Sequence, residues 1–320
     1  MNKMRKKIKL RLMKKGEEKE VLKVYNEIFE LNASLEYWKW KYSCPGGSFN
    51  IVALNDNGKI IGHYGTQIKN GLYFKKNLKF INAVDVGIKK EYRGNNFYMK
   101  ALNYQKKFKL FKKKYFAYNF PREAIIILAK KHNFSDGIML INIYSKKIYF
   151  QDKLKKFLKL KKGKLKIIKI NSNKFSKVID YLWENKKKEF TISIIKNWEF
   201  IEWYTLKHPN INNLFGIYLN KTIIGYFSIL IKEKICYITD ILILNKYLTK
   251  EIIDEIEKMI ILENNKVNEI KILINDNLIE KILAEKKYKI SQNMTLSYFG
   301  IKKKIDRNNM YITYADTDIL

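Results

Sequence analysis

The stretch that decides the fold is Asp85-Val-Gly-Ile-Lys-Lys-Glu-Tyr-Arg-Gly-Asn-Asn-Phe-Tyr-Met-Lys-Ala-Leu102. The apolar run Ile81–Ile88 predicts a β-strand, and the spacing of apolar residues predicts an amphipathic helix that begins at about Phe97. A basic turn, Arg93-Gly94, joins the two. The free N–H groups of the first helical turn, the positive end of the helix dipole and the guanidinium would all point to one place. This junction therefore predicts a site for a phosphorylated cofactor.

The junction and its surroundings resemble the GNAT superfamily of N-acetyltransferases. In that family the fourth strand gives backbone contacts to acetyl-coenzyme A, and a Q/R-x-x-G-x-G/A turn holds the pyrophosphate. The corresponding turn keeps its Arg, but Asn96 and Tyr98 replace the two later glycines. Asn tolerates left-handed backbone geometry better than most residues. Tyr98 would either crowd the pyrophosphate or point outward while its N–H is used.

The resemblance covers nearly the whole chain. The family's first strand and first helix correspond to Lys9–Arg11 and Lys14–Phe29, and its hairpin corresponds to Phe49–Leu54 and Lys59–Gln67. Its fifth strand corresponds to Tyr115–Asn119, and its closing helix corresponds to Phe120–Phe134. Glu36–Tyr42 and Phe120-Pro121 are similar to GNAT proteins of surface-polysaccharide gene clusters.

The second half of the sequence repeats features of the first. Trp203-Tyr204 resembles Trp40-Lys41, and Ile238–Lys246 resembles Ala83–Glu91. We therefore predict an α/β protein of two tandem GNAT-like domains, each a mixed, mostly antiparallel twisted sheet flanked by helices. The predicted parts are a domain with the acyl-coenzyme A site (1–150), a basic linker (151–164), a degenerate second domain (165–305) and an acidic tail (306–320).

Composition limits the classes of protein. The two cysteines, Cys44 and Cys236, lie far apart without His or Cys at metal-binding spacing, so we expect neither a disulfide framework nor a metal. No signal peptide and no apolar run long enough to span a membrane are visible, so a cytoplasmic location is expected. The linker could also form an interfacial helix that associates weakly with an anionic membrane surface.

The net charge of +33 would ordinarily suggest a nucleic-acid or membrane partner. Only five of the 64 basic residues are Arg, the residue that base and phosphate recognition favours. An abundance of Lys, Ile and Asn is what an AT-rich genome would impose. Codon bias and a selected anionic partner both stay open.

The resemblance implies site residues. The predicted cofactor-binding residues are Val86, Ile88, Arg93, Gly94, Asn95, Asn96, Phe97, Tyr98 and Asn119. As catalytic residues we predict His63 or Asp85 as the base and Tyr64 as a replacement acid. The alternatives for the acid step are Tyr118, departure of the thiolate without protonation by the enzyme, or a residue of the second domain. For the acceptor we predict aromatic contacts from Trp38, Trp40 and Tyr118, and contacts to its ammonium group from Asp316 and Asp318. His63 suits the base because an imidazole titrates near neutrality, but a structural role for His63 and Asp85 stays open.

These features predict an enzyme that transfers an acetyl or other short acyl group from acyl-coenzyme A to a primary amine. An amino sugar of a surface polysaccharide is the first choice of acceptor. Two alternatives stay open. One is a FemAB-like transferase that uses aminoacyl-tRNA, for which the positive charge would be functional. The other is a non-catalytic GNAT-like binding protein.

Overall fold

The computed structural model describes residues 7–108, 114–123, 125–127, 135–149, 164–211, 213–264, 266–301 and 305–318. The predicted linker 151–164 and the end of the predicted closing helix lie almost entirely outside the described residues. The fold is mixed α/β, with a large, mostly antiparallel sheet flanked by helices. This confirms the predicted fold class.

The first half of the chain builds six strands and three helices among the described residues. They are β1 (Lys9–Leu12), α1 (Glu18–Phe29), α2 (Leu35–Tyr42), β2 (Ser48–Leu54), β3 (Ile60–Tyr73), β4 (Lys76–Ile88), α3 (Phe97–Gln105), β5 (Tyr115–Asn119) and β6 (Gly137–Lys147). The predicted hairpin is confirmed, and its turn is shaped by Asn55, whose Oδ1 accepts from the N–H groups of Asn57 and Lys59. The predicted start of α3 at Phe97 is also confirmed.

The second half repeats this order. Its elements are β7 (Leu165–Ile170), α4 (Ser176–Lys186), β8 (Ile192–Ile194), α5 (Trp198–Ile201), β9 (Asn213–Leu219), β10 (Thr222–Lys232), β11 (Ile235–Ile243), α6 (Thr249–Glu263), β12 (Glu269–Leu273), α7 (Asn277–Glu285), β13 (Lys289–Phe299) and β14 (Met310–Tyr311). A π-helical turn at Glu202–Leu206 continues α5. In both halves a parallel pair stands beside antiparallel ones, namely β4 with β5 and β11 with β12.

The two halves share one sheet in the order β1-β2-β3-β4-β5-β13-β6-β12-β11-β10-β9-β7. The last long strand of each half lies beside the other half's parallel pair. Strand β13 runs antiparallel to β5, and β6 runs antiparallel to β12, while β6 and β13 also pair with each other. The predicted domain limits stay a prediction, but the strand order shows that β6 is added to the sheet of the second half.

The core follows the sheet across this junction. The largest buried cluster joins side chains from both halves, among them Phe80, Phe116, Trp183 and Tyr226. Among the described residues, no helix is both long and apolar enough to cross a bilayer.

Candidate active site

The candidate site is a cleft that opens where β4 and β5 separate. The two strands pair in parallel from Lys79 to Asn82 on β4, but β4 continues to Ile88 whereas β5 ends at Asn119. The cleft has a volume of about 840 Å³. It is lined from the first half by Tyr25, Phe29, Leu31, Asn32, Ala33, Ser34, Tyr37, Lys41, Ala83, Asp85, Val86, Tyr98, Asn119, Phe120, Pro121, Arg122 and Ile125, and from the second half by Pro209, Asn210, Lys232 and Asp318.

A β-bulge in β4 points Asp85 into this cleft. On β3, His63 pairs with Gly87 and Gly65 pairs with Val84, so β4 carries one residue more than β3 over this interval. Asp85 has a φ of 52°, a left-handed conformation that Asp adopts more readily than most residues. The register leaves Val86 out of the pairs formed with β3.

Asp85 is held by two side chains of α2. Lys41 Nζ lies 2.7 Å from Oδ1 in a buried ion pair, and the Tyr42 hydroxyl donates to Oδ2 at 2.7 Å. Gly65 makes this second contact possible, since a Cβ there would lie 2.1 Å from the Tyr42 hydroxyl oxygen. Both carboxylate oxygens of Asp85 are therefore engaged.

A second carboxylate, Asp318, lies at the cleft beside Lys41. Burial raises the pKa of Asp318, and Asp85 adds to this, while Lys41 and Lys69 oppose it. Burial alone would lower the pKa of Lys41, but the charges of Asp85 and Asp318 outweigh burial and raise it above its ordinary value. Lys41 is thus a permanent cation between two carboxylates.

The segment 313–318 is fixed from both halves of the sheet. The Asp316 carbonyl accepts from the Tyr118 hydroxyl at 3.0 Å and from Lys69 Nζ at 3.3 Å. The Asp316 carboxylate accepts from the N–H of Thr313 and lies 2.8 Å from Lys196 Nζ. These contacts anchor the chain immediately before Asp318 and so fix where it enters the cleft.

The repeated tryptophans meet between the two halves. Trp40 and Trp203 stack with ring centroids 5.2 Å apart, and each indole N–H donates to the other residue's carbonyl, at 2.7 and 3.0 Å. The contact positions α2, and with it Lys41, against the second half. Trp40 is therefore held in the junction between the halves and does not line the cleft.

The predicted phosphate-binding turn lies on the surface at the start of α3. Arg93 and Gly94 are exposed, while Asn96 precedes the helix with a φ of 53°. Asn96 thus adopts the left-handed conformation that glycine favours. Tyr98 is buried, points inward and lines the cleft together with Asn119. The first-turn N–H groups of α3 lack carbonyl partners within the helix, so they can bind an anion.

Asn95 and Phe97 of this turn are buried, and the Asn95 side chain donates to the Tyr92 carbonyl at 2.9 Å. This contact closes the turn from within. Ile88, also predicted to contact the cofactor, is buried opposite Gly62 and is not among the cleft-lining residues.

The predicted catalytic residues lie in different surroundings. His63 is fully buried, its Nε2 lies 2.9 Å from Asn50 Oδ1, and burial lowers its pKa to about 4. Tyr64 is fully buried as well, and burial raises its pKa well above the ordinary value. Neither lines the cleft, whereas Asp85 does.

The residues predicted to contact the acceptor also lie in different parts of the structure. Trp38 is buried against Tyr42 and His63, Tyr118 is buried with its hydroxyl on the Asp316 carbonyl, and the Asp316 carboxylate is taken by Lys196. Asp318 lines the cleft. The sequence pattern did not indicate Lys41 or Lys232 as site residues. It indicated Tyr42 only as one of the aromatic residues of the Glu36–Tyr42 segment, beside Trp38 and Trp40.

Comparison with known proteins shows the fold. A protein of Enterococcus faecalis V583, named a probable N-acyltransferase, superposes with a TM-score of 0.67 at 13% identity, over 91% of this chain and 72% of its own. A GCN5-related N-acetyltransferase of Anabaena variabilis gives a TM-score of 0.66 at 12% identity, over 91% of this chain and 72% of its own. Saccharomyces cerevisiae N-myristoyltransferase with bound myristoyl-CoA gives a TM-score of 0.63 at 10% identity, over 92% of this chain and 82% of its own. The chain has the GNAT fold. No family model and no curated protein matches the sequence.

Proposed function

We propose that the protein transfers an acyl group from acyl-coenzyme A to a primary amine. One observation carries the proposal, namely the cleft between the separated β4 and β5, which reaches from Tyr98 near the start of α3 to the carboxylates Asp85 and Asp318. The fold supports it, since one protein that shares this fold was solved with myristoyl-CoA.

The donor would lie along β4, with its phosphates at the Arg93–Tyr98 turn. The bulge leaves Val86 outside the pairing with β3 while Val86 still lines the cleft. An amide N–H that faces the cleft at such a bulge would be placed to stabilise the thioester oxyanion. Of the two β4 residues predicted to bind the cofactor, Val86 is therefore favoured for this role over Ile88, which pairs with Gly62 and does not line the cleft.

Asp318 is the base that the geometry favours. His63 does not line the cleft, and both oxygens of Asp85 are engaged by Lys41 and Tyr42. Asp318 would take one proton from the acceptor ammonium, and the neutral amine would then attack the thioester carbonyl carbon. The carbon–sulfur bond breaks, the second amine proton leaves with the thiol, and the products are the amide, free coenzyme A and one proton returned to solvent.

The acyl group proposed first is acetyl, and the acceptor proposed first is an amino sugar of a surface polysaccharide. Uncharged hydrogen-bonding side chains at the cleft, Asn32, Ser34 and Asn210, suit a hydroxyl-rich acceptor. An aminoacyl-tRNA donor is the second candidate, favoured by the net charge of +33.

Isothermal calorimetry with acetyl-coenzyme A tests the donor site. We expect binding that weakens about tenfold in Arg93→Ala, because a charge-assisted phosphate contact is lost. Lys76→Ala is the matched control, since it removes the same charge at the opposite end of β4. No binding of acetyl-coenzyme A or of a long-chain acyl-coenzyme A would refute the proposal. Binding of tRNA with steep salt dependence in its place would favour the second candidate.

A further inference from the structure

The cleft has two walls of different origin. The first half gives the separated strands and Tyr98, which belong to the proposed donor path. The second half gives Pro209, Asn210 and Lys232. Since the donor path is already bounded by the first half, the wall from the second half borders the space left for the acceptor.

Lys232 is the cation of the second wall. It is the last residue of β10 and pairs with Ile235 across the two-residue turn Glu233-Lys234, in which Glu233 has a φ of 58°. This tight hairpin fixes the Lys232 backbone at the cleft. Its side chain is exposed, and among the ion pairs of the described residues none involves Lys232. Its ammonium is therefore available to a ligand.

The rest of this wall is held firmly. Nδ1 of His208 accepts from the N–H groups of Asn210 and Ile211, at 2.9 and 3.2 Å. The His208 ring packs on Trp40 with centroids 3.9 Å apart, and burial lowers its pKa to about 4. A neutral imidazole accepts these bonds throughout the neutral pH range, so Pro209 and Asn210 keep one position beside Lys232.

The cleft therefore carries charges of both signs, with contributions from both halves of the chain. The carboxylates of Asp85 and Asp318 lie where a cationic amine would react, and the ammonium of Lys232 lies on the acceptor wall. We propose that the acceptor is a primary amine that also carries an anionic group, a phosphate or a carboxylate, and that Lys232 binds this group. The inference rests on the proposed function, and it narrows the acceptor to molecules that carry both an ammonium group and a phosphate or carboxylate.

The test uses the full chain saturated with coenzyme A and two matched pairs of amines. Glucosamine 6-phosphate is compared with glucosamine, and 4-aminobutanoate with butylamine, by calorimetry at low ionic strength. We expect, in at least one pair, the amine that carries the phosphate or carboxylate to bind about tenfold more tightly than the amine that lacks it. Added salt should reduce this preference because Lys232 is exposed to solvent. The pair with the larger preference identifies phosphate or carboxylate as the group recognised.

Lys232→Gln should reduce the preference to about twofold or less, while the affinities for coenzyme A and for the amines without an anionic group stay unchanged. Lys234→Gln is the control, because it removes the same charge from the same hairpin but does not line the cleft. A preference that survives in Lys232→Gln, or weaker coenzyme A binding in that variant, would overturn the inference. Binding of neither glucosamine 6-phosphate nor 4-aminobutanoate would overturn it as well. Failure of the proposed function itself is recognised separately, as absence of coenzyme A binding in the unchanged protein.

Discussion

Replacing Lys196 by Met tests the anchor of the segment that delivers Asp318 to the cleft. Lys196 Nζ lies 3.2 Å from Asp240 Oδ1, 2.8 Å from Asp316 Oδ1 and 3.1 Å from the Thr313 hydroxyl oxygen. Its side chain is completely buried, and so is that of Asp240. Met keeps the approximate volume of the Lys196 side chain but removes its positive charge. Asp240 and Asp316 therefore lose the cation that they share.

The expected loss follows from this geometry. Breaking a buried ion pair by removing one partner costs about 3–5 kcal/mol, because the remaining charge stays desolvated. Burial already raises the pKa of Asp240, Lys196 opposes that rise, and Asp316 adds to it. Without Lys196 this pKa should rise further, so the folded variant binds protons more tightly than its unfolded chain. The variant should therefore become less stable as pH rises from about 5 to about 7.

Urea unfolding of the unchanged protein and of Lys196→Met, at both pH values, measures the effect. Lys250→Met is the control, because Lys250 forms an ion pair with Glu285 at 3.1 Å in which both side chains are largely exposed. Such a pair contributes about 1 kcal/mol or less. A loss in Lys196→Met that is no larger than in the control, or one that does not grow with pH, would refute the reasoning.

Two further predictions concern the proposed site. Asp318→Asn should lower kcat about 100-fold and remove the acidic limb of the pH–rate profile, while calorimetry shows unchanged acetyl-coenzyme A binding; an unchanged kcat would exclude Asp318 as the base. Because burial raises the pKa of Asp318, that limb should lie above the range of an ordinary Asp. Asn96→Ala should destabilise the fold by about 1 kcal/mol in thermal unfolding, since Ala is unfavourable at a φ of 53°, whereas Asn96→Gly should not. Equal melting temperatures for the two Asn96 variants would contradict this.

Local structure could be predicted from the sequence because periodicity and turn residues determine it. The strand Tyr115–Asn119 was predicted with the limits that the structure has. The partners of β6 and β13 could not be predicted in this way. Alternation along a strand shows which face is buried, but it does not identify the neighbouring strand.

The candidate site was predictable where it depends on the backbone and less so where it depends on tertiary surroundings. That Asp85 belongs to the site could be predicted from its position on β4. That Asp318 belongs to the site could be predicted from the acidic composition of the tail. An imidazole ordinarily titrates near neutrality, but the pKa of His63 is lowered because strands and aromatic rings surround it. Lys39 and Lys41 are equivalent in the sequence pattern of α2, yet Lys39 is exposed and Lys41 is buried on Asp85.

The placement of β13 beside β5 has a consequence for how the chain is made. A ribosome releases the first half long before β13, which means that the edge of β5 has no antiparallel neighbour during most of synthesis. Pairing between strands so distant in sequence also forms slowly. An open strand edge invites association with other chains. The first half should therefore expose an unpaired strand edge until the last long strand emerges, and we expect it to aggregate when it is expressed without the second half.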